Sequence, residues 1–305
     1  MLRRLAREAR LSEEFVMAVD VRPEARPAPA PASAFDDLIR AVADRPVRPA
    51  AWVDAATYPW AEEDFSSRYV RRANYQTLYG MKETGDEVED ILEMLALAPK
   101  GRALDLCSGN GRHAIAMALR GYRMTGIDLG PGAVALARDT ARNLGLSIDF
   151  RQLDVLHISF EETFDGAYLT CAGLSDFSPA DARVILELVE RALVPRGRFV
   201  AEYADAASAR PAEARAWQFV SAESSLFLDR AHLQLDECFF DTATASEIER
   251  SYVAPAEGRT REFARCRQYY AESGVRDLLE SARFEIVSFT AGSAPGLRKV
   301  VGKKR

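Results

Sequence analysis

The run Ala103-Leu104-Asp105-Leu106-Cys107-Ser108-Gly109-Asn110-Gly111-Arg112-His113-Ala114 places a carboxylate in an apolar stretch, then a Gly-x-Gly turn, then a helical stretch. Gly109 and Gly111 permit close approach of backbone to a ligand, and the amides that open the following helix suit an anionic group. As a GxGxxA pattern the motif also fits a dinucleotide site. Asp105 separates the two readings, because a carboxylate there repels a pyrophosphate on the helix start and favours the ammonium of an amino-acid moiety. Asp128 follows Gly111 by 17 residues and ends the next apolar run, placed to accept hydrogen bonds from both hydroxyls of a ribose. Asp154 follows a third run and is placed to accept from an exocyclic adenine amine. Each alone is an ordinary surface carboxylate. Three in succession, each just past a consecutive strand, mark one edge of a parallel sheet as a binding edge.

The elements that position these residues are legible from 102 onward, where short apolar runs alternate with helical ones in the manner of βαβ units. The pattern predicts strands at 103–107, 123–128, 148–152, 166–171 and 198–203, with helices at 112–120, 132–144 and 179–193. A helix over 87–97 precedes them and stops at Pro99-Lys100-Gly101. After Tyr203 the alternation ends. Residues 224–270 read as antiparallel strands inserted as a β cap, followed by a helix at 272–282 and strands at 284–290 and 297–302. At the front, Leu2, Leu5, Ala9 and Phe15 suit one side of an amphipathic helix, and residues 21–34 a Pro/Ala-rich spacer. The expected domains are 1–34 (helix and spacer), 35–98 (a helical cover) and 99–305 (the α/β domain with its insertion). Within the cover, Tyr58, Trp60, Phe65, Tyr69 and Tyr75 are dense enough for either core packing or a lid.

A chain of 305 residues, 48% hydrophobic and 28% charged, has the makings of a globular core. The net charge of -6 disfavours the sequence-independent phosphate attraction of nucleic-acid binders, so no nucleic-acid partner is expected. Cys107, Cys171, Cys238 and Cys266 form no CxxC pair, so neither a metal site nor a disulfide framework is expected. No run of about 18 apolar residues and no signal-peptide core occurs, which gives the expectation of a cytoplasmic protein without a membrane partner.

The run ALDLCSGNGRHAIAMALRGYRMTGIDLG resembles motif I and the following acidic motif of the class I S-adenosylmethionine-dependent methyltransferases, of the bacterial small-molecule type. The likeness extends through Phe164-Asp165-Gly166-Ala167 and Leu193-Val194-Pro195-Arg196-Gly197-Arg198-Phe199 to Leu278-Leu279-Glu280-Ser281-Ala282-Arg283-Phe284. That last turn usually reads Ala-Gly-Phe, so Arg283 departs from the pattern. The resemblance implies a Rossmann-like α/β fold, with a seven-stranded, mostly parallel sheet whose last strand is antiparallel. It also implies S-adenosylmethionine as cofactor, with Asp105, Gly109 and Gly111 at the methionine part, Asp128 at the ribose and Asp154 at the adenine. Leu129, Val155 and Thr170 complete the implied cofactor set. A nicotinamide-dependent oxidoreductase and a non-catalytic S-adenosylmethionine-binding protein are the competing readings.

The acceptor is less legible. Leu169-Thr170-Cys171-Ala172-Gly173-Leu174 lacks the Asn/Asp-Pro-Pro-aromatic signature of methyltransferases acting on base amines or glutamine, which leaves a small molecule, with natural-product biosynthesis as one setting. His232 stands among Asp229, Asp236 and Glu237 and is a candidate base, against the plain reading of a solvated histidine. Tyr75 and Tyr203 are candidate acceptor-orienting groups, with core packing as the alternative for both, and the same applies to Tyr69 and Tyr168. His113 reads as structural or cofactor-adjacent, and His157 as a neighbour of adenine. The insertion has two readings, an acceptor wall or the interface of a homodimer.

Overall fold

The computed structural model describes residues 81–210 and 214–305. The expectations for the front of the chain, including Tyr69, Tyr75 and the aromatic cover, lie outside the described residues.

Helix α1 (Met81–Leu95) leads into β1 (Arg102–Leu106), α2 (Arg112–Leu119), β2 (Arg123–Asp128), α3 (Pro131–Asn143) and β3 (Asp149–Gln152). Then come β4 (Phe164–Leu169), α4 (Pro179–Ala192) and a long β5 (Leu193–Asp205). The insertion is β6 (Ala214–Val220), β7 (His232–Asp241), β8 (Ser246–Pro255) and β9 (Arg261–Tyr270), and the chain closes with α5 (Glu272–Ser281), β10 (Phe284–Ala291) and β11 (Leu297–Lys304). Two expectations are corrected. α1 begins at Met81 rather than 87, and the insertion begins with β6 at Ala214 rather than 224. β6 was not legible because its side chains are almost all exposed, so no apolar alternation marks it.

The core sheet runs β3-β2-β1-β4-β5, all parallel, and continues through β11 to β10. β11 is antiparallel to both β5 and β10, which gives seven strands with one reversed. Alternate residues face opposite helix layers. Leu104, Leu106, Phe199, Ala201 and Tyr203 pack with Ile185 and Val189 of α4 and Leu279 of α5. Ala103, Tyr168 and Val200 pack with Val88, Ile91 and Leu95 of α1, Met117 of α2 and Val134 of α3. The turn that departs from the family pattern is nevertheless kept. Arg283 adopts φ 65, the left-handed conformation that glycine takes freely, and its N–H donates to Glu280 O at 3.0 Å.

The insertion is a four-stranded antiparallel sheet, β9-β8-β7-β6, joined to the core where Ala204 and Asp205 of β5 pair with Tyr269 and Tyr270. One face carries Leu233, Leu235, Tyr252 and Ala254. The other, one residue out of phase, carries Gln234, Asp236, Glu249, Arg265 and Arg267. No helix among the described residues is long and apolar enough to cross a membrane.

Candidate functional site

The loop after β1 is shaped by three left-handed residues, Cys107 (φ 55), Gly109 (φ 55) and Gly111 (φ 76). The two glycines do different work. A Cβ on Gly111 would lie 2.4 Å from Cζ of Phe150, and one on Gly126 would lie 2.6 Å from the same ring, so these positions let α2, β2 and β3 close on Phe150. A Cβ on Gly109 would meet nothing within 4 Å, so this glycine faces open space at the carboxyl edge of the sheet. Asp128 fixes the loop tip. Its Oδ2 accepts from the Gly109 N–H and its Oδ1 from the Gly130 N–H, both at 2.7 Å. Burial raises the Asp128 pKa, and these two amides oppose the shift. A carboxylate has about four acceptor positions, so Asp128 retains capacity for further donors.

Asp105 is 2% exposed and pairs in register with Tyr168 on the adjacent strand. Its Oδ2 and the Tyr168 hydroxyl are both buried, and neither completes a hydrogen bond. Burial pushes the Asp105 pKa up to about 7; the nearby Tyr168 hydroxyl and Arg112 pull it down, while the Asp128 charge pushes it further up. A buried carboxyl with an unused oxygen gains most from a cation that neutralises it. Asp154 follows β3 and caps the short turn Val155–His157, accepting from Leu156 N at 2.9 Å. His157 Nδ1 lies 3.3 Å from Asp154 Oδ2, with the ring largely exposed. Leu129 is exposed beside Asp128, Thr170 is half-buried after β4, and the Val155 side chain belongs to the core, leaving only its backbone for a ligand. The structure thus brings Asp105, Gly109, Asp128, Leu129, Asp154 and Thr170 to the carboxyl edge of β3-β2-β1-β4. A cavity of about 460 Å³ between α1 and the β10–β11 hairpin, lined in part by Asp90, Met94, Arg198, Thr290 and Lys299, contains none of them.

The catalytic candidates fare differently. His232 is buried, with Nδ1 3.0 Å from Arg230 O and Nε2 3.4 Å from Gln234 Oε1. Glu237 points to the opposite face of β7, where it pairs with Arg215 (2.6 Å) and Arg250 (3.4 Å), so it does not face His232 as expected. His232 also sits at the end of β7 paired with Pro255, ten residues along the sheet from the junction at Tyr269, on the order of 30 Å of strand. Tyr203 is fully buried in the core against Tyr270, edge to face at 6.5 Å, and burial raises its pKa to about 12. Core packing, not acceptor contact, is what the structure gives it. Tyr75 lies outside the described residues. His113 ties α2 to α1 through a 2.7 Å contact with Glu87, which also accepts from Arg112 at 2.5 Å. Burial pushes Glu87 up, and the hydrogen bonds from His113 and Arg112 outweigh it, holding its pKa at about 2.

Two residues escaped the sequence reading. Glu202 on β5 is fully buried and accepts from Ala172 N (2.9 Å), Ser293 N (2.7 Å) and Ser293 Oγ (3.1 Å), pinning the turn after β4. Asp176 ends that turn, exposed, with Arg265, Arg267 and Glu249 of the inserted sheet around it. The only signal was Gly173-Leu174-Ser175-Asp176, a short polar-ended segment without a recognisable motif.

Residues 103–197 match the model of a family described as a methyltransferase domain. The ubiquinone biosynthesis O-methyltransferase of Marinobacter nauticus is 35% identical over 97 residues, covering 31% of this chain and 40% of that protein. The demethylmenaquinone methyltransferase of Thermus thermophilus is 35% identical over 108 residues, covering 35% of this chain and 48% of that protein. The chain therefore spans less than half the length of these curated relatives. Among solved structures, an S-adenosylmethionine-dependent methyltransferase from Clostridium acetobutylicum superposes with TM-score 0.59 at 14% identity, over 77% of this chain and 98% of that one. The sugar N-methyltransferase KedS8 from Streptoalloteichus gives 0.58 at 16% identity, over 85% and 97%. The order of the sheet, the loop after β1 and the matched residues agree: residues 103–197 are similar to a methyltransferase domain, and the chain has the Rossmann-like fold seen in solved S-adenosylmethionine-dependent methyltransferases.

Proposed function

We propose that the protein transfers the methyl group of S-adenosylmethionine to a small-molecule acceptor held between the carboxyl edge of the core sheet and the inserted sheet. The observation that carries this reading is the row formed by Asp105 near the end of β1, Asp128 at the end of β2 and Asp154 just after β3, beside a glycine whose missing side chain leaves open space. The residues present fit the cofactor: Asp105 offers a buried, unused oxygen to an ammonium, Asp128 has acceptor capacity for ribose hydroxyls, and Asp154 has it for an amine. The group supplies an electrophilic sulfonium methyl. The chain supplies position and exclusion of water, which carry much of the rate of such a transfer. Relatives named for ubiquinone biosynthesis and for demethylmenaquinone methylation support a small acceptor. Asp105 disfavours the pyrophosphate of a nicotinamide dinucleotide. Calorimetric titration with S-adenosylmethionine and with NAD separates these readings, and S-adenosylhomocysteine release on addition of acceptors separates an enzyme from a binding protein.

A further inference from the structure

We propose that Asp176 is the carboxylate that receives the acceptor, and that the acceptor is a small molecule whose methylated atom carries a proton, an amine nitrogen or a hydroxyl oxygen. The inference rests on the proposed methyl transfer and adds the acceptor side of the same site.

Asp176 is exposed, while Gly173, Leu174 and Ser175 before it are buried, so the turn projects one carboxylate out of an otherwise sealed segment. The segment is rigidly held. Cys171 (φ 57) and Ala172 (φ 60) are consecutive left-handed residues without being glycine, a strained geometry that persists only where surroundings fix it. The Ala172 N–H donates to Glu202 Oε2 at 2.9 Å, and Ser175 Oγ accepts from Ala204 N at 2.8 Å, so both ends of the turn are fastened to β5. A group held in this way needs no reorganisation when charge develops beside it.

The turn that carries Asp176 packs against both β5 of the core and β9 of the inserted sheet. From the inserted sheet, Arg265 and Arg267 of β9 and Glu249 of β8 face it, with Arg265 engaged in an ion pair to Glu249. From the core, its charge is felt at Cys107, the first residue of the loop after β1. Although its edge is open to solvent, protein crowded around the carboxylate raises the Asp176 pKa to about 6, with Glu249 adding to the rise and Arg267 and Arg265 opposing it, which suits a group that takes up a proton near neutrality. In the step, the lone pair of the acceptor nitrogen or oxygen bonds to the sulfonium methyl carbon. The carbon–sulfur bond breaks with its electron pair left on sulfur as a neutral thioether, and the acceptor's proton passes to the Asp176 carboxylate and then to solvent. An anionic acceptor atom without a proton would meet this carboxylate as a like charge.

The test uses the full chain loaded with S-adenosylmethionine and three probes of matched shape, benzylamine, phenol and benzoate, reading S-adenosylhomocysteine release. We expect benzylamine or phenol to raise release above the background without acceptor, the two arms distinguishing nitrogen from oxygen, and benzoate to leave it unchanged. D176N should lower kcat for the active probe by about 100-fold or more and abolish the acidic limb of its pH profile near 6, with cofactor Kd within about twofold of wild type. D176E, which restores the carboxylate, should recover part of the rate, and its cofactor binding shows that the position tolerates substitution. Methylation of benzoate, failure of both proton-bearing probes, or an unchanged kcat in D176N would overturn the assignment. Loss of cofactor binding in the wild-type protein would instead overturn the methyl-transfer reading beneath it.

Discussion

The buried carboxyl of Asp105 makes cofactor affinity depend on pH in a way that can be worked out beforehand. With its pKa at about 7, Asp105 is about nine-tenths protonated at pH 6 and about nine-tenths ionised at pH 8. An ammonium that pairs with the carboxylate must displace that proton, so apparent affinity falls by a factor of about 11 at pH 6 and about 1.1 at pH 8, a roughly tenfold difference. The α-amino group of S-adenosylmethionine, at about 8, works in the opposite direction but is common to wild type and D105N, so it cancels in their ratio. Calorimetry in buffers of different ionisation enthalpy should show the wild type releasing close to one proton on binding at pH 6, and D105N releasing none. Equal proton release in the two proteins, or none in the wild type, would refute the pairing of Asp105 with the ammonium. Stability carries the same signature. A carboxyl whose folded pKa is raised from 3.8 to about 7 binds more protons in the folded state across that window, so its contribution is present in acid and is lost as pH rises through 7. Relative to D105N, the cofactor-free wild type should lose about 2 kcal/mol between pH 5.5 and pH 8 in denaturant titrations.

Gly111→Ala should cost about 2–4 kcal/mol in urea unfolding, because its Cβ would fall 2.4 Å from Phe150 and the residue keeps a left-handed φ. Gly109→Ala should cost only about 1 kcal/mol of backbone strain yet weaken S-adenosylmethionine at least about tenfold, since its methyl enters the open space rather than the core. Asp128→Ala removes two 2.7 Å amide bonds and should lower both stability, by about 3 kcal/mol, and cofactor affinity, by at least about tenfold; a folded variant with unchanged Kd would remove Asp128 from the site. Tyr203→Phe deletes a buried hydroxyl that has no hydrogen bond, so melting temperature and methyl transfer should stay at or slightly above wild-type values; a large fall in kcat would restore Tyr203 as an acceptor-orienting group.

The alternating core was legible because parallel strands buried on both faces read as short continuous apolar runs, and the turn residues between them carry strong local preferences. The carboxylates were legible against the same runs: Asp105 is the one charge inside the first, Asp128 ends the second and Asp154 follows the third. What the sequence hid is what depends on register and on contacts between distant segments. His232 and Glu237 are five residues apart, and their placement on opposite faces follows from the two-residue period of β7, which charge clustering alone does not reveal. Gly111 read as a ligand-approach residue, and only the position of the Phe150 ring shows that it serves packing first. Arg283 broke an expected glycine position, yet the surrounding packing holds it left-handed, so tertiary context overrides local preference there. Glu202 and Asp176 acquire meaning only through the turn after β4, whose fastening to β5 joins residues about 30 and 90 positions apart in the chain.

The central claim is that the carboxyl edge of β1, β2 and β3 holds S-adenosylmethionine through Asp105, Asp128 and Asp154. Calorimetric titration of the full chain with S-adenosylmethionine and, separately, with NAD tests it most directly. The account predicts saturable one-to-one binding of S-adenosylmethionine, at least about tenfold weaker in D128A, and no binding of NAD. Saturable binding of NAD with no response to S-adenosylmethionine would contradict it.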